Sequence, residues 1–373
     1  MARTGIAIVT NAHAADQRSM LGYGELLLEA ARAIDPSAVE MRASSALSNR
    51  LPSALSSGRA GKAVRDVERF LLTPASLLGR AAEICHVADP GNVTYLDVIR
   101  HRVSVVTVHD VIPYLCLAGK LDGFRPSLTG RWVMRRILGR LERSDCIVCV
   151  SERTRQDLLQ LARLDEARVV TIPNAVFQPM TPASVECCAS VRSEYRLPAD
   201  ARLVLHVGRN FYKNRKAVLE IFARIAAARN DVRLVLIGAL SPDLVALSEQ
   251  LGIGSRVHVL SQVASDRIAA LYTTSALLLF PSLYEGFGYP VLEAQLCGAP
   301  VICSDAGSLV EVAGAGARVF APEDCDGMTE AALEILDYPV AAADLVARGR
   351  ENAERYTRGR WFAAHHALYR ELA

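Results

Sequence analysis

The sequence predicts an α/β protein built from two doubly wound domains, each a parallel sheet flanked by helices. Short apolar runs alternate with helical patterns along all 373 residues. Most of these runs are uninterrupted, which is typical of strands buried on both faces, and repeated strand–helix units build open parallel sheets. The length suits two domains of about 150–200 residues each. With 51% hydrophobic and 22% charged residues, the chain can fill two cores.

The predicted strands fall into two sets separated by a break. The first set is Ile6–Thr10, Val103–Val108, Cys146–Val150 and Val169–Ile172. The second set is Leu203–Val207, Leu234–Ile237, Val257–Leu260, Ala276–Phe280 and Val301–Cys303. Residues 181–200 have weak periodicity and contain prolines, which predicts a linker between domains at 1–180 and 201–355. A final helix is expected over residues 356–373, and a mobile loop over Ser44–Gly61.

Charge and cysteine usage narrow the classes of function. The net charge of +2 gives no basis for nucleic-acid binding. Nine cysteines are scattered along the chain, and Cys146 and Cys149 lack a second ligand pair nearby, so we expect buried thiols rather than zinc. Free thiols fit a reducing, cytoplasmic compartment. The first residues do not resemble a secretory signal, and we expect no membrane-spanning segment.

The segment FPSLYEGFGYPVLEAQLCGAPVICSD, which starts at Phe280, is the most informative part of the chain. A buried strand ends at Phe280, and Gly286 and Gly288 allow the next loop to approach a ligand closely. Pro290 suits the first position of a helix, and Gly298 suits its C-terminal cap. Because free N–H groups at a helix start favour an anion, we expect a phosphate site here.

Two carboxylates, Glu285 and Glu293, bracket this loop with seven residues between them. Both could accept hydrogen bonds from the hydroxyls of one sugar ligand. The alternative is that Glu285 is a solvated loop residue and that Glu293 is an ordinary charge at a helix start.

Basic residues follow the strand that ends at Val207. Arg209 and Lys213 could stabilise the negative charge of an anionic group bound beside this strand, and such fixed cations can replace a divalent metal. The alternative is a solvated basic loop. A second motif, Asp324-Cys325-Asp326, has the D-x-D pattern of metal sites, but its place before a predicted helix indicates acidic capping. We therefore expect no metal.

Together these motifs resemble glycosyltransferase family 4, the retaining enzymes with the GT-B fold. The loop of Glu285 and Glu293 resembles the family's Glu-x7-Glu motif. Further stretches resemble the family in its order, namely PNAV at Pro173–Val176, HVGRNFYKNRKAVLEIF at His206–Phe222 and DAGSLVEVAG at Asp305–Gly314. The resemblance implies two Rossmann-like domains facing each other across a cleft. The first would be on the acceptor side, the second would bind the nucleotide-sugar donor, and the final helix would pack back toward the first.

The resemblance also implies roles for the loop residues. Glu293 would accept hydrogen bonds from the ribose hydroxyls of the donor, and Glu285 would contact the transferred sugar. The backbone N–H groups of Gly286, Phe287 and Gly288 would face the sugar and the phosphates.

The same resemblance places Gly208, Arg209 and Lys213 at the diphosphate and Val263 near the nucleotide base. Many family members place their lysine six residues after the strand-end glycine, whereas Lys213 lies five after Gly208. This difference leaves open which residue supplies the second cation.

The N-terminal half offers His109, which follows the predicted strand VSVVTV. Because the pKa of histidine lies near working pH, His109 could bind or deprotonate an acceptor hydroxyl, and the resemblance favours this over a structural role. Asp110 is expected to cap the following turn. The loop Asn11–Leu21 leads into Gly22 and a helix over Glu25–Ala33. There, contact with the donor phosphates and a plain helix entry remain open alternatives.

Residues Arg125–Arg143 contain six arginines interleaved with apolar residues. This pattern predicts either a basic amphipathic helix on anionic lipid or an ordinary surface helix.

The expected activity is retaining transfer of a hexose, with a lean toward GDP-mannose, to a glycan or lipid-linked acceptor. No enzymic nucleophile is evident, which favours front-face transfer. A sugar-nucleotide epimerase and a non-catalytic sugar-nucleotide-binding protein are the alternatives.

Overall fold

The computed structural model describes residues 4–11, 18–43, 58–178 and 180–373. Contacts divide the described chain into two compact units. The first unit holds the described residues of 1–120, 124–173 and 358–373, and the second holds those of 121–123 and 174–357. The loop predicted at Ser44–Gly61 lies largely outside the described residues, as does most of the loop predicted at Asn11–Leu21.

The first unit is built on a parallel sheet whose described strands have the order β2-β1-β3-β4-β5-β6. The strands are Thr4–Thr10 (β1), Val39–Arg42 (β2), Ala81–Val87 (β3), Arg100–Val108 (β4), Cys146–Cys149 (β5) and Val169–Thr171 (β6). The described helices are Arg18–Ile34, Gly58–Val67, Thr73–Leu77, Ile112–Leu117, Leu128–Leu141, Glu152–Leu161 and Arg358–Leu372. Short helical turns occur at Glu68–Leu72, Pro90–Asp97 and Glu166–Arg168.

The four strands predicted in the first half are confirmed. Val106 and Val148, in the middle of the sheet, are fully buried, as expected for parallel strands covered on both faces. Strands β2 and β3 were not predicted. The β3 strand carries Glu83 and His86, which interrupt its apolar run, and β2 is a four-residue strand at the edge of the sheet.

The first helix begins earlier than the sequence predicted. It runs over Arg18–Ile34, so Gly22 lies inside a helix and not in a loop before one. The apolar face continues through Tyr23 and Leu26, which are buried, and this packing extends the helix toward its N-terminus. A Cβ added at Gly24 would meet the Thr10 side chain at 2.8 Å, so the small residue lets the helix lie close to β1.

The second unit is built on a parallel sheet whose described strands have the order β12-β11-β10-β7-β8-β9. The strands are Arg202–Val207 (β7), Val232–Ile237 (β8), Val257–Leu260 (β9), Ser275–Phe280 (β10), Val301–Ser304 (β11) and Arg318–Phe320 (β12). The described helices are Val185–Glu194, Arg215–Ala228, Pro242–Gln250, Ser265–Thr274, Tyr289–Cys297, Leu309–Ala313, Cys325–Asp337 and Pro339–Ala353. Short turns of 3-10 helix occur at Phe211–Lys213, Gly254–Arg256, Gly314–Gly316 and Glu354–Tyr356. The five strands predicted here are confirmed.

The segment predicted as a linker, residues 181–200, differs from that prediction. It contains the helix Val185–Glu194, and Val191 and Leu197 are buried in the core of the second unit. The helix was missed because its apolar residues are spread around its circumference, and only Val191 is buried, so the sequence gives a weak periodic signal. The segment is thus part of the second unit.

Candidate functional site

The strand order of the second, wholly parallel sheet reverses between β7 and β10. These two strands are paired in the middle of the sheet, with β8 and β9 on one side and β11 and β12 on the other. The carboxyl ends of strands at such a switch point border a crevice where α/β proteins bind ligands. The loops that follow β7 and β10 carry most of the residues that the sequence predicted for the donor.

A buried ion pair joins these two loops. The Lys213 Nζ lies 2.7 Å from the Glu285 Oε1, and the two residues are exposed by 9% and 6%. The ammonium also lies 4.7 Å from the centre of the Phe280 ring. The Leu283 N–H donates to the Tyr212 carbonyl at 2.7 Å, which ties the loops together a second time. Two residues predicted to act on one ligand are therefore held side by side.

Glu293 lies in the helix Tyr289–Cys297, and its side chain is only partly exposed. The Tyr272 hydroxyl donates to its Oε2 at 2.8 Å. Burial raises the pKa of the Glu293 carboxyl, whereas the Tyr272 hydrogen bond and the nearby charge of Lys213 act in the opposite direction. The Glu293 carboxyl thus lies within the electrostatic influence of Lys213.

The backbone of the Glu285–Gly288 loop is fixed by the segment after β11. The Ser308 N–H donates to the Glu285 carbonyl at 3.0 Å, and its hydroxyl donates to the Phe287 carbonyl at 2.7 Å. Gly307 has a φ of +63°, and an added Cβ would meet the Glu285 carbonyl oxygen at 2.3 Å. The loop therefore needs glycine at position 307.

The helix after this loop starts at Tyr289, so Pro290 is its second residue and not its first as predicted. Gly288 is its N-cap, Pro290 occupies its first turn and Gly298 caps its C-terminus in the left-handed region. The free N–H groups of the first turn therefore point toward the crevice end of β10, where they can meet an anion.

The basic residues after β7 differ from one another in their exposure to solvent. The Arg209 side chain is exposed, and a Cβ added at Gly208 would meet the Lys213 side chain at 2.8 Å, so Lys213 passes directly over Gly208. Arg215, the first residue of the helix Arg215–Ala228, is buried. Its guanidinium donates to the carbonyls of Ile237, Gly238 and Ala239 at 2.7–3.0 Å. Burial lowers its pKa to about 10.

Two further side chains pack in the interior of the second unit. Val263 is half-buried against the core of the second unit. His206, in β7, is fully buried, and its Nδ1 donates to the Leu279 carbonyl at 3.0 Å. Burial lowers the pKa of His206 to about 3, so this histidine is neutral and does not add to the positive charge of Lys213.

In the first unit, His109 borders a cavity of about 250 Å³ whose lining includes Asp89, Asp110 and Tyr114. Its Nε2 donates to the Ala88 carbonyl at 2.8 Å, which leaves the Nδ1 as the atom with a lone pair. Burial lowers the pKa of His109, although the charge of Asp89 opposes this shift. The Nδ1 is buried and has no hydrogen-bond partner among the described residues, so it can accept a hydrogen bond from a ligand hydroxyl only where that hydroxyl enters this pocket. Asp110 accepts from the Ile112 N–H at 3.0 Å, which confirms its predicted capping role.

The arginine-rich segment forms the helix Leu128–Leu141. Met134 and Ile137 are buried on its inner side, whereas Leu128 and Trp132 are 84% and 58% exposed among arginines. This arrangement is compatible with both predicted alternatives, a surface helix and a lipid-facing one. Within the described ranges, no helix combines the length and apolar character required to cross a bilayer.

The motif Asp324-Cys325-Asp326 lies at the start of a helix. The Asp324 carboxylate accepts from the Gly327 N–H at 2.9 Å and caps the helix Cys325–Asp337, as predicted. The described residues contain no cluster of three or more His, Cys, Asp or Glu side chains suited to a metal ion. None of the nine cysteines is in a disulfide bond, and burial raises the pKa of Cys146 and Cys149 to about 12, which keeps both as thiols.

Comparison with known proteins gave two family matches. The family described as "Glycosyl transferases group 1" matches residues 190–355, and "Glycosyltransferase Family 4" matches residues 50–177. Of the curated relatives, the O-antigen chain mannosyltransferase B of Escherichia coli is 28% identical over 264 residues, 69% of this chain and 68% of that protein. The Escherichia coli serotype-specific mannosyltransferase WbdA is 30% identical over 229 residues, 59% of this chain and 28% of that protein.

A solved structure, Anabaena HepE in complex with UDP and glucose, matches with a TM-score of 0.74 at 15% identity. The match covers 99% of this chain and 100% of HepE. At this identity the likeness concerns the fold. Together with the two parallel sheets, it confirms the predicted two-domain GT-B fold.

Proposed function

Because this chain belongs to the family 4 glycosyltransferases, we propose that it moves a hexose from a nucleoside-diphosphate sugar to a hydroxyl group, with retention at the anomeric carbon. The family matches and the relatives are transferases, which supports an enzyme of this class over an epimerase or a non-catalytic binding protein. The observation that carries the proposal is the grouping of Lys213, Glu285 and Glu293 at the switch point of the second sheet.

The donor is proposed to bind along these side chains. Lys213 meets the diphosphate, the N–H groups at the start of the helix Tyr289–Cys297 add to its anion binding, and Glu285 accepts from hydroxyls of the sugar. Glu293 accepts from the ribose. Arg209, which is exposed beside Gly208, is proposed as the second cation.

The proposed chemistry follows from the fixed charges. As the glycosidic bond breaks, negative charge moves onto the leaving diphosphate, and a pre-positioned ammonium and helix N-terminus stabilise that charge without reorganising. We propose that no divalent metal is needed. The acceptor oxygen attacks from the same face as the departing phosphate, which takes up the acceptor's proton.

The identity of the sugar is proposed from the relatives. Both curated relatives described above are mannosyltransferases, which favours mannose and a GDP-mannose donor. HepE was solved with UDP, so UDP-sugars are the competing donors and belong in any screen.

The acceptor is proposed to be a glycan or a lipid-linked glycan, with its hydroxyl bound near the neutral His109 of the first unit. His109 would orient this hydroxyl while the leaving phosphate takes its proton, so His109→Gln should lower the transfer rate by about tenfold or more and leave donor affinity unchanged. An unchanged rate would exclude this role.

We also propose peripheral contact with anionic lipid at the inner face of the cell membrane through the helix Leu128–Leu141. Its exposed Trp132 would insert at the interface, and the arginines beside it would attract the lipid. Trp132→Ala should weaken sedimentation with anionic vesicles, whereas the exposed Val340→Ala should not. Equal sedimentation of wild type and Trp132→Ala would contradict this contact.

The proposal is tested by turnover in the presence of EDTA. Labelled GDP-mannose and UDP-glucose are incubated with the enzyme and a bacterial glycolipid fraction, and the transferred label and its anomeric configuration are measured. We expect transfer with retention from one donor, and a loss of about 100-fold or more with Lys213→Met. Inversion, or transfer that survives in Lys213→Met, would contradict the proposed site.

A further inference from the structure

Tyr272, a residue that the sequence did not single out, lies directly against Glu293, the proposed ribose-binding residue. Tyr272 belongs to the helix Ser265–Thr274, which precedes β10, and its side chain is fully buried. Its hydroxyl is 2.8 Å from the Glu293 Oε2. A buried tyrosine normally finds one hydrogen-bond partner, so the contact alone is compatible with a plain core residue. The partner, however, is a carboxylate of the proposed donor site.

The two ends of this hydrogen bond have fixed roles. Burial and the neighbouring carboxylate raise the pKa of Tyr272 well above its usual value, so the phenol keeps its proton and acts as the donor. An ionised Glu293 can only accept. Among the described residues, no group donates a hydrogen bond to the other oxygen, Oε1. One carboxylate oxygen is thus satisfied by the protein, and one remains for a ligand.

We propose that Tyr272 is a positioning residue of the donor site, because its hydroxyl holds one oxygen of Glu293 and thereby aims the other at a ribose hydroxyl. This inference rests on the proposed function. A glutamate has three rotatable bonds, and a single fixed oxygen removes most of the freedom of the carboxylate. A ligand that hydrogen-bonds to such a group does not have to order it first.

The hydrogen bond also affects the charge of Glu293. Burial raises the pKa of this carboxyl, and the hydrogen bond from Tyr272 partly counteracts that effect. Removing the hydroxyl would therefore raise the pKa of Glu293 further. Since only the ionised form has two acceptor oxygens, ribose recognition would then be lost at a higher pH than in the wild type.

The test measures ribose recognition directly. The dissociation constants of GDP and 2′,3′-dideoxy-GDP, and of the corresponding UDP pair, are measured by calorimetry for the full-length protein and for Tyr272→Phe. We expect the wild type to bind the ribose form about 10–100-fold more tightly and Tyr272→Phe to discriminate by about threefold or less. The ratio of two constants from one preparation does not depend on its folded fraction, so partial unfolding of the variant does not obscure the result.

Two control variants separate positioning from general damage. Tyr338→Phe removes a hydroxyl from a 64% exposed tyrosine of the same unit and should keep the wild-type ratio. Glu293→Gln should lose the discrimination, and adding Tyr272→Phe to it should cause no further loss, because both changes act through one hydrogen bond.

A purely structural role of Tyr272 would leave the pH dependence of ribose discrimination unchanged, so this dependence is measured as well. In the wild type, discrimination should fall as the pH drops through the pKa of Glu293, and in Tyr272→Phe the midpoint should lie at higher pH. A variant that keeps both the wild-type ratio and the wild-type midpoint would overturn the role of Tyr272. A wild type that binds neither nucleotide would contradict the donor site itself, and the inference with it.

Discussion

At the scale of single residues, neighbouring lysines have different environments. Lys213 is buried and pairs with Glu285 at 2.7 Å, whereas the Lys216 side chain is 71% exposed and lies 3.8 Å from Glu220. A buried charge that loses its partner is costly, whereas an exposed pair in water contributes little. The two positions therefore form a natural comparison.

Lys213→Met should lower the free energy of unfolding by about 3 kcal/mol, because Glu285 would remain buried without its counter-charge. The matched variant Lys216→Met should change it by less than about 0.5 kcal/mol. Urea unfolding of both variants at neutral pH measures the difference. Equal losses would mean that the buried pair has no special role in stability.

Only some residues of the candidate site could be predicted from the sequence. Glu285, Glu293 and Lys213 were found because they belong to a motif with characteristic spacing. The contact of Tyr272 with Glu293 joins two helices that are separated by a strand and a loop, and no local pattern marks it. The burial of Arg215 likewise has no local signal in the sequence, since its partners are backbone carbonyls beyond β8.

At the scale of elements, the donor loop depends on its neighbour after β11. Gly307 and Gly252 both have positive φ, +63° and +68°, but only Gly307 faces backbone atoms of Glu285. An added Cβ at Gly252 would meet nothing within 4 Å. Alanine substitutions at these two glycines therefore distinguish the cost of a left-handed backbone from the effect of displacing the donor loop.

Gly252→Ala should cost about 1 kcal/mol of stability and leave nucleotide binding unchanged. Gly307→Ala should cost more and weaken nucleotide binding by about tenfold, because the loop must move away from the new methyl group. Denaturant unfolding and nucleotide titration of both variants test this. Wild-type affinity in Gly307→Ala would show that the loop position does not matter.

The strands show how much of the fold the sequence can predict. Nine strands were recognised because an uninterrupted apolar run is typical of a strand covered on both faces. The remaining ones, β2, β3 and β12, are short edge strands or carry polar side chains, and their pairing depends on neighbours distant in sequence. The helix Val185–Glu194 was missed for the same physical reason, since tertiary packing rather than its own pattern stabilises it.

At the scale of the whole molecule, several histidines are buried in the neutral form. Burial lowers the pKa of His365 to about 4 and that of His206 to about 3, and it lowers the pKa of His86 well below its usual value. His86 and His365 belong to a buried hydrogen-bond network of the first unit with Tyr23, Thr107 and Tyr369. That network joins the final helix to the sheet.

These pKa shifts predict how stability depends on pH. Above about pH 6.5 the histidines are neutral in both states, so they contribute no pH dependence. Below it the unfolded chain binds protons that the folded chain does not, so stability should fall by up to about 1.4 kcal/mol per pH unit and histidine. His365→Gln should make this fall shallower between about pH 6.5 and 4.

The control is Tyr369→Phe, which removes the hydroxyl that contacts the His86 Nδ1 but removes no histidine. It should lower stability by a similar amount at about pH 7 and at about pH 5. Urea unfolding at both values compares the variants. If His365→Gln loses stability with falling pH as steeply as the wild type, His365 does not titrate as its burial implies.

The central claim is that the crevice at Lys213, Glu285 and Glu293 binds a nucleoside-diphosphate sugar, and a thermal-shift screen of such donors in EDTA tests it most directly. A ligand that binds only the folded state raises the melting temperature. We predict that one nucleotide class, with GDP-mannose the first candidate, raises the melting temperature of the wild type and not that of folded Glu293→Ala. No shift with any donor, or an equal shift in Glu293→Ala, would contradict the claim.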